Sequence, residues 1–165
     1  MTVRRIQADQ VQAYGETLIE LLHHCTDISF SGEVSRDFYT EKLKALHGYL
    51  QTGKACLLGA FQGEVLVGFL WGYPLADPMG EKFHIAYFAV LPEFENQGIG
   101  TRLLQEAQTQ ARKMGMERAE LLVSRDNAKA VDFYCSHGFQ IQRYVLQNEF
   151  LKEDGEKRGL CSEQI

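Results

Sequence analysis

A chain of 165 residues, 45% of them apolar and with a formal charge of −5, has material for one compact core and not comfortably for two. The acidic balance argues against nucleic acid as a partner, since phosphate binding needs clustered cations, and the longest apolar runs fall well short of a membrane span. Cys25, Cys56, Cys135 and Cys161 show no Cys-x-x-Cys spacing and no apolar run follows Arg4-Arg5, so the expectation is reduced thiols in a cytoplasmic protein, with neither structural metal nor secretory signal.

Thr2–Gln7 reads as a short strand. Asp9 and Gln12 have capping-box spacing, and Val11, Tyr14, Leu18 and Leu21 recur at helical intervals, predicting a first helix that ends near His24. Thr26–Val34 is polar and contains glycine, which predicts a loop. Ser35 caps a second helix with Tyr39, Leu43, Leu46 and Leu50 as its stripe, and Thr52-Gly53 ends it. Ala55–Gln62 and Val65–Tyr73 are strands joined at Gly63-Glu64. Both faces of the second are apolar or small, as a central strand covered on each side requires. Pro74–Gly80, with two prolines, predicts a loop, and Lys82–Leu91 another buried strand. Ile99, Leu103, Ala107, Ala111 and Met114 form the stripe of a third helix stopped at Gly115. Arg118–Ser124 reads as a strand, Asn127–His137 as a helix, Phe139–Lys152 as one or two final strands, and 153–165 as a polar tail.

The most informative segment is Val90-Leu91-Pro92 through Gln97-Gly98-Ile99-Gly100-Thr101-Arg102. An apolar strand runs into a polar turn, two glycines and an amphipathic helix. The first turn of such a helix has N–H groups without intrahelical partners, and its dipole adds partial positive charge. Glycine lets an anion approach the backbone, so the turn suits a pyrophosphate. It lacks the Gly-Lys-Ser/Thr of a P-loop and the third glycine of a dinucleotide fold. A second segment lies about thirty residues on. Asn127 and Tyr134 there are two helical turns apart, on one face and roughly 10 Å apart along the axis, where an amide and a phenol could line an elongated ligand.

Together these segments resemble the GNAT superfamily of acyl-CoA-dependent N-acyltransferases. The likeness covers about residues 55–145: strand, Gln97-Gly98-Ile99-Gly100, helix, strand, then Asn127, Ala130, Phe133-Tyr134 and Gly138-Phe139. One position departs: the family has Arg or Gln three residues before the first glycine, where this chain has Glu95. The resemblance implies an α/β fold with a mixed sheet (α+β in its connectivity), twisted, of six to seven strands flanked by about four helices. It would be a single domain over 1–152, with 1–54 as the variable acceptor half and 55–145 as the acyl-CoA half.

The resemblance further implies that acetyl-CoA lies where Lys82–Leu91 and Arg118–Ser124 splay apart. Gln97, Gly98, Gly100 and Thr101 would cradle its pyrophosphate through N–H groups, with Arg102 either adding charge or standing as a solvated helix residue. Val90 and Leu91 would flank the acyl group and pantetheine through backbone atoms. Asn127 would contact the pantetheine arm, act as a helix cap, or both. Tyr134 matches the family's general-acid tyrosine near the thioester sulfur; the alternative is an aromatic packed under the last strand. His84 stands where histone-type relatives carry a catalytic glutamate, six residues before Val90, and imidazole accepts a proton near neutral pH. A hydrogen-bonded strand histidine is the other reading, and Tyr87 and Glu81 are further candidates. His23, His24 and His47 read as structural. Asp27, Glu33, Asp77 and Glu81 are candidate contacts for a cationic acceptor, and Phe30, Tyr73 and Trp71 candidate pocket walls.

The function implied is acetyl transfer from acetyl-CoA to a primary amine by direct attack in a ternary complex, without metal, a small-molecule amine being slightly favoured. A protein lysine or N-terminal acetyltransferase, or a non-catalytic acyl-CoA-binding regulatory module, are the alternatives. A homodimer is compatible with each.

Overall fold

The computed structural model describes residues 1–29, 34–146 and 148. In chain order the elements are β1 (Thr2–Arg5), α1 (Gly15–Ser29), α2 (Arg36–Gln51), β2 (Cys56–Gln62), β3 (Val65–Asp77), β4 (Gly80–Val90), α3 (Ile99–Lys113), β5 (Ala119–Leu121) and α4 (Ala128–Ser136). Short 3₁₀ turns stand at Ala8–Gln10 and Pro92–Phe94. The strands form one sheet in the order β1-β2-β3-β4-β5, antiparallel except for the last pair.

Period-two alternation along the central strands feeds two cores. On one face Leu57, Phe69 and Trp71 meet Leu18, Leu21 and Leu46 of α1 and α2. On the other, Leu58, Leu70 and Phe83 meet Leu103, Leu104 and Ala107 of α3. The strand readings therefore hold because β2 and β3 are buried on both sides. Gly72 is part of that packing: a Cβ there would lie 2.4 Å from the Phe83 ring, so only glycine lets the ring cross β3.

Four expectations need correcting. First, the opening turn is set by Gln10, whose Oε1 accepts from the Gln7 N–H at 3.0 Å, and not by Asp9 with Gln12. Second, α1 runs to Ser29, past the expected stop at His24. The Thr26 hydroxyl bonds back to the His23 carbonyl at 2.9 Å and meets the Tyr39 hydroxyl at 2.5 Å, so a polar residue is buried without ending the helix.

Third, the loop expected over Pro74–Gly80 shrinks to a turn, because β3 continues through Pro74 to Asp77. Pro74 lies opposite Phe83, and the Phe83 N–H donates to Arg118 on the far side at 2.8 Å. That pair makes no ladder bond, so the missing proline N–H costs nothing. Fourth, the sheet has five strands among the described residues, where six or seven were expected. β5 is three residues long, where Arg118–Ser124 was expected. Residues 139–146 carry no strand, and 147 and 149–165 lie outside the described residues.

Candidate functional site

The site is organised by an interruption in the sheet. β5 pairs with β4 only at Phe83, His84 and Ile85. Beyond Ile85, β4 runs on to Val90 with no strand on that edge among the described residues, while Leu122 and Val123 are exposed. Which backbone groups face the gap follows from the β3–β4 register. The Leu91 N–H donates to the Val67 carbonyl at 2.9 Å. In an antiparallel ladder such pairs alternate, so Ala89 and Tyr87 also turn toward β3, and Phe88 and Val90 turn toward the open edge. Val90, predicted as a backbone contact, thus keeps free groups. Leu91 does not: its carbonyl accepts from Phe94 N–H at 2.9 Å as well. Phe88 is the backbone position that sequence reasoning missed, two residues before Val90 on the same edge.

The gap opens at the expected turn. Asn96 and Gly98 both have left-handed backbones, φ 59° and 74°, which wrap the chain before α3. Gly98 caps the helix without any side-chain bond, and the first intrahelical bond runs from Arg102 N–H to Gly98 O at 3.2 Å. The amides of Ile99, Gly100 and Thr101 precede that bond in the first turn and are the groups an anion would meet. A Cβ on Gly100 would stand 3.4 Å from both the Phe133 and Phe88 rings, so this turn is pressed against α4. The other predicted side chains have local duties. Gln97 donates to the Glu93 carbonyl at 3.2 Å, and the Thr101 hydroxyl meets His137 Nε2 at 3.1 Å. Arg102 is exposed and lines, with Met1, Gln62, Gln97 and Ile99, an open depression of about 220 Å³ on the β1–β2 side of the turn, away from the gap.

Glu95 is met by side chains from two helices. Its carboxylate is ion-paired to Lys129 of α4 and approaches His24 Nε2 at 3.4 Å. Lys129 above all holds the Glu95 carboxyl below its usual range, with His24 contributing less. The acid that departs from the family pattern is therefore a tie between α1, the turn before α3 and α4.

α4 begins at Asn127, whose Oδ1 accepts from Ala130 N–H at 3.1 Å, so the cap is made. Tyr134 lies between Phe88, Phe133 and Phe139, with ring centroids 5.4–6.2 Å away. Burial raises its phenol well above the ordinary value, and Cys25 adds to the effect. Phe133 also reaches Phe88, so both aromatics pack on that ring. Cys25 of α1 enters from the opposite face and donates its thiol to the Phe88 carbonyl at 3.3 Å. Burial pushes that thiol up to about 12, a reduced, unreactive group.

At the closed end of the gap, His84 and Lys82 share the face that carries Tyr73. The His84 and Tyr73 rings are 5.1 Å apart. Lys82 is buried, with Nζ 2.6 Å from Glu120 Oε2 and 3.1 Å from Asp77 Oδ2. Arg118 grips both oxygens of Asp77, at 2.9 and 3.1 Å. Asp77, a candidate acceptor contact, is thus spent on structure; Arg118 first and Lys82 second drive its carboxyl far below the usual range. Asp27 pairs with His23 at 2.7 Å, and Glu81 is exposed. Tyr87 stacks on Trp71 at 5.2 Å. Phe30 and Glu33 lie outside the described residues. Among the described residues, Trp71 Nε1 and His84 Nδ1 are the buried side-chain atoms without a hydrogen bond. No cluster of His, Cys, Asp and Glu suited to a metal occurs among them, Cys25, Cys56 and Cys135 are free thiols, and no helix is long and apolar enough to cross a membrane.

Comparison with known proteins bears directly on this arrangement. The sequence profile of the acetyltransferase (GNAT) family matches residues 16–139. A mycothiol acetyltransferase of Jonesia denitrificans is 32% identical over 81 residues, which are 48% of this chain and 25% of that protein. Mouse thialysine N-epsilon-acetyltransferase is 30% identical over 83 residues, 50% of this chain and 49% of the relative. The chain therefore aligns with a quarter to a half of the length of these curated relatives. A crystal structure of a predicted acetyltransferase with acetyl-CoA from Clostridium acetobutylicum superposes with a TM-score of 0.72 at 15% identity, covering 90% of this chain and 95% of that one.

Proposed function

The chain belongs to the acetyltransferase (GNAT) family, and from that premise we propose that it transfers an acetyl group from acetyl-CoA to a primary amine, a small molecule rather than a protein, by direct attack within a ternary complex. The observation that carries the reading is the meeting of three features at one gap. These are the edge of β4 at Phe88 and Val90, beyond the last pair with β5, the free amides of Ile99, Gly100 and Thr101, and the half-buried Tyr134 ring. The curated relatives named for mycothiol and thialysine support a small-molecule acceptor.

In this reading the Gln97–Thr101 turn holds the diphosphate through N–H groups, and the open edge of β4 bonds the pantetheine amides. Asn127, whose Oδ1 is committed to the cap, offers its side-chain N–H to the arm. Arg102 supplies long-range positive charge. The acceptor enters from the α1–α2 face. An alkyl ammonium is about three units too acidic-stable at neutral pH, so freeing its lone pair costs on the order of 4–5 kcal/mol. His84 accepts that proton. The free amine attacks the thioester carbonyl, and the C–S bond breaks with its electron pair on sulfur while Tyr134 donates a hydrogen bond to the forming thiolate. The surplus proton on the new amide nitrogen then passes to that sulfur, so that coenzyme A leaves as the thiol. At reference values, full proton transfer from phenol to thiolate is uphill by roughly 2 kcal/mol, and burial of Tyr134 keeps its proton in place. Its main contribution is electrostatic.

The test is release of coenzyme A thiol with acetyl-CoA and a panel of amines, read alongside the mass of each acceptor. Acceptor-dependent release with acetylated small amines supports the proposal. Binding without release would favour a non-catalytic module, and release only with peptides would favour a protein acceptor.

A further inference from the structure

We propose that Glu120 is a positioning residue for His84, holding the imidazole with its proton on Nδ1 so that Nε2 is left to take a proton from the acceptor. His84 Nδ1 is sealed from solvent and has no hydrogen bond among the described residues. The carboxylate facing it is Glu120, with Oε1 at 3.4 Å, long and poorly aligned. Contacts of this kind commonly tighten only when substrate is bound. A buried ring nitrogen that faces an acceptor-only group carries a proton, since otherwise two lone pairs would confront each other in an apolar setting.

Glu120 is itself held still. Its other oxygen takes the Lys82 ammonium at 2.6 Å, and Lys82 is anchored in turn by Asp77, which Arg118 grips with two N–H groups. Glu120 and Asp77 carry two negative charges, and Lys82 and Arg118 two positive, so the network balances while His84 is neutral. Lys82, with a smaller effect from His84, keeps the Glu120 carboxyl below its usual range. When the acceptor N–H proton moves to Nε2, the ring becomes an imidazolium whose Nδ1–H faces a carboxylate. The parallel β4–β5 register sets this up by pairing His84 with Glu120. Only the origin of the proton rests on the acetyl-transfer reading.

Two-bond ¹H–¹⁵N correlation spectra of the full chain, without substrate at about pH 8, above the ordinary imidazole range, read the tautomer directly. Nδ1–H is expected in the wild type. Glu120→Gln, whose amide can donate as well as accept, should shift the population toward Nε2–H, and Glu120→Asp should restore Nδ1–H. A wild-type ring protonated on Nε2, or identical spectra for wild type and Glu120→Gln, would overturn the proposal. Where Glu120→Gln fails to fold, the wild-type tautomer decides alone. In acetyl transfer, Glu120→Gln should lower kcat about tenfold, the low end for a misdirected base, while KM for acetyl-CoA stays the same. An unchanged kcat also contradicts the proposal. A wild type that transfers no acetyl group refutes the functional reading, yet leaves the spectra to judge Glu120.

Discussion

The two halves of β4 are built on opposite plans. From Phe83 to Ile85 the strand is laddered to β5, and polar side chains gather there: Lys82, Glu120, Asp77 and Arg118 form one bonded set, with His84 Nδ1 3.4 Å from Glu120. From Phe88 to Val90 that edge has no strand, and the side chains around it are mostly apolar, so the backbone is what a ligand can bond. Under the proposed function, the difference would let one strand serve two substrates. The open half suits an elongated amide-bearing arm, recognised through main-chain groups that tolerate varied side chains. The closed half suits proton movement, which needs fixed charges in a shielded place.

If that division is right, the largest effect comes from the open half. Tyr134→Phe should cut kcat on the order of 100-fold, the usual loss for one charge-stabilising donor. Acetyl-CoA affinity should hardly change, because the ring and its packing remain. Steady-state kinetics with coenzyme A release measure both, and equal turnover in the two proteins would break the assignment.

Next in size is Gly100→Val. The added methyls would collide with the Phe133 and Phe88 rings, already 3.4 Å from a single Cβ. The turn would be forced from α4, with acetyl-CoA binding weakened at least about tenfold and stability lowered by about 1–3 kcal/mol. Titration calorimetry and thermal melts check these together, and a variant that binds normally would show that turn and α4 move independently.

A smaller effect belongs to the closed half and depends on pH. Asp77 has its carboxyl depressed in the folded state, by Arg118 first, then Lys82. The unfolded chain therefore binds the proton more readily. The stabilisation is complete above the unfolded value near pH 4 and is lost as pH falls toward the lower folded value. Asp77→Asn should have a lower Tm at neutral pH and a shallower decline of Tm below about pH 4. Melts across pH 2.5–7 would show it, and parallel curves for wild type and variant would deny Asp77 this role.

The smallest expected signal is a protected thiol. Cys25 is bonded to the Phe88 carbonyl and its ionisation is pushed up to about 12, whereas Cys135 is exposed. Iodoacetamide at pH 8 should mark Cys135 within minutes and leave Cys25 unmarked in native protein, as peptide mass spectrometry can determine. Rapid marking of Cys25 would mean that α1 does not hold its thiol against the Phe88 carbonyl.

What the sequence disclosed follows the range of the interactions. The phosphate turn and α3 were readable because glycine spacing, a helix start and a 3.6-residue stripe are local. Asn127 was readable as a cap for the same reason. The open edge was not, because which backbone groups go unpaired depends on where β4 and β5 part, and β5 proved shorter than its apolar pattern. Glu95 stood out in the sequence only as a departure from the family pattern; its partner Lys129 lies 34 residues on, beyond local reading. Lys82 read as an ordinary strand residue, although Lys82 and His84 alternate with Phe83 and Ile85 on an otherwise buried strand. That pattern was the available hint of a buried charge network. One or two final strands were expected over Phe139–Lys152, and residues 139–146 carry no strand.

The central claim is that the bare edge of β4 and the first turn of α3 form one continuous seat for acetyl-CoA. A crystal structure with acetyl-CoA tests it most directly. Diphosphate oxygens should lie about 2.7–3.2 Å from amides in the 97–101 turn, with pantetheine along Phe88 and Val90 and the thioester sulfur beside the Tyr134 hydroxyl. Acetyl-CoA bound elsewhere, or Leu122 and Val123 folded into the gap against β4 in its presence, would contradict the account.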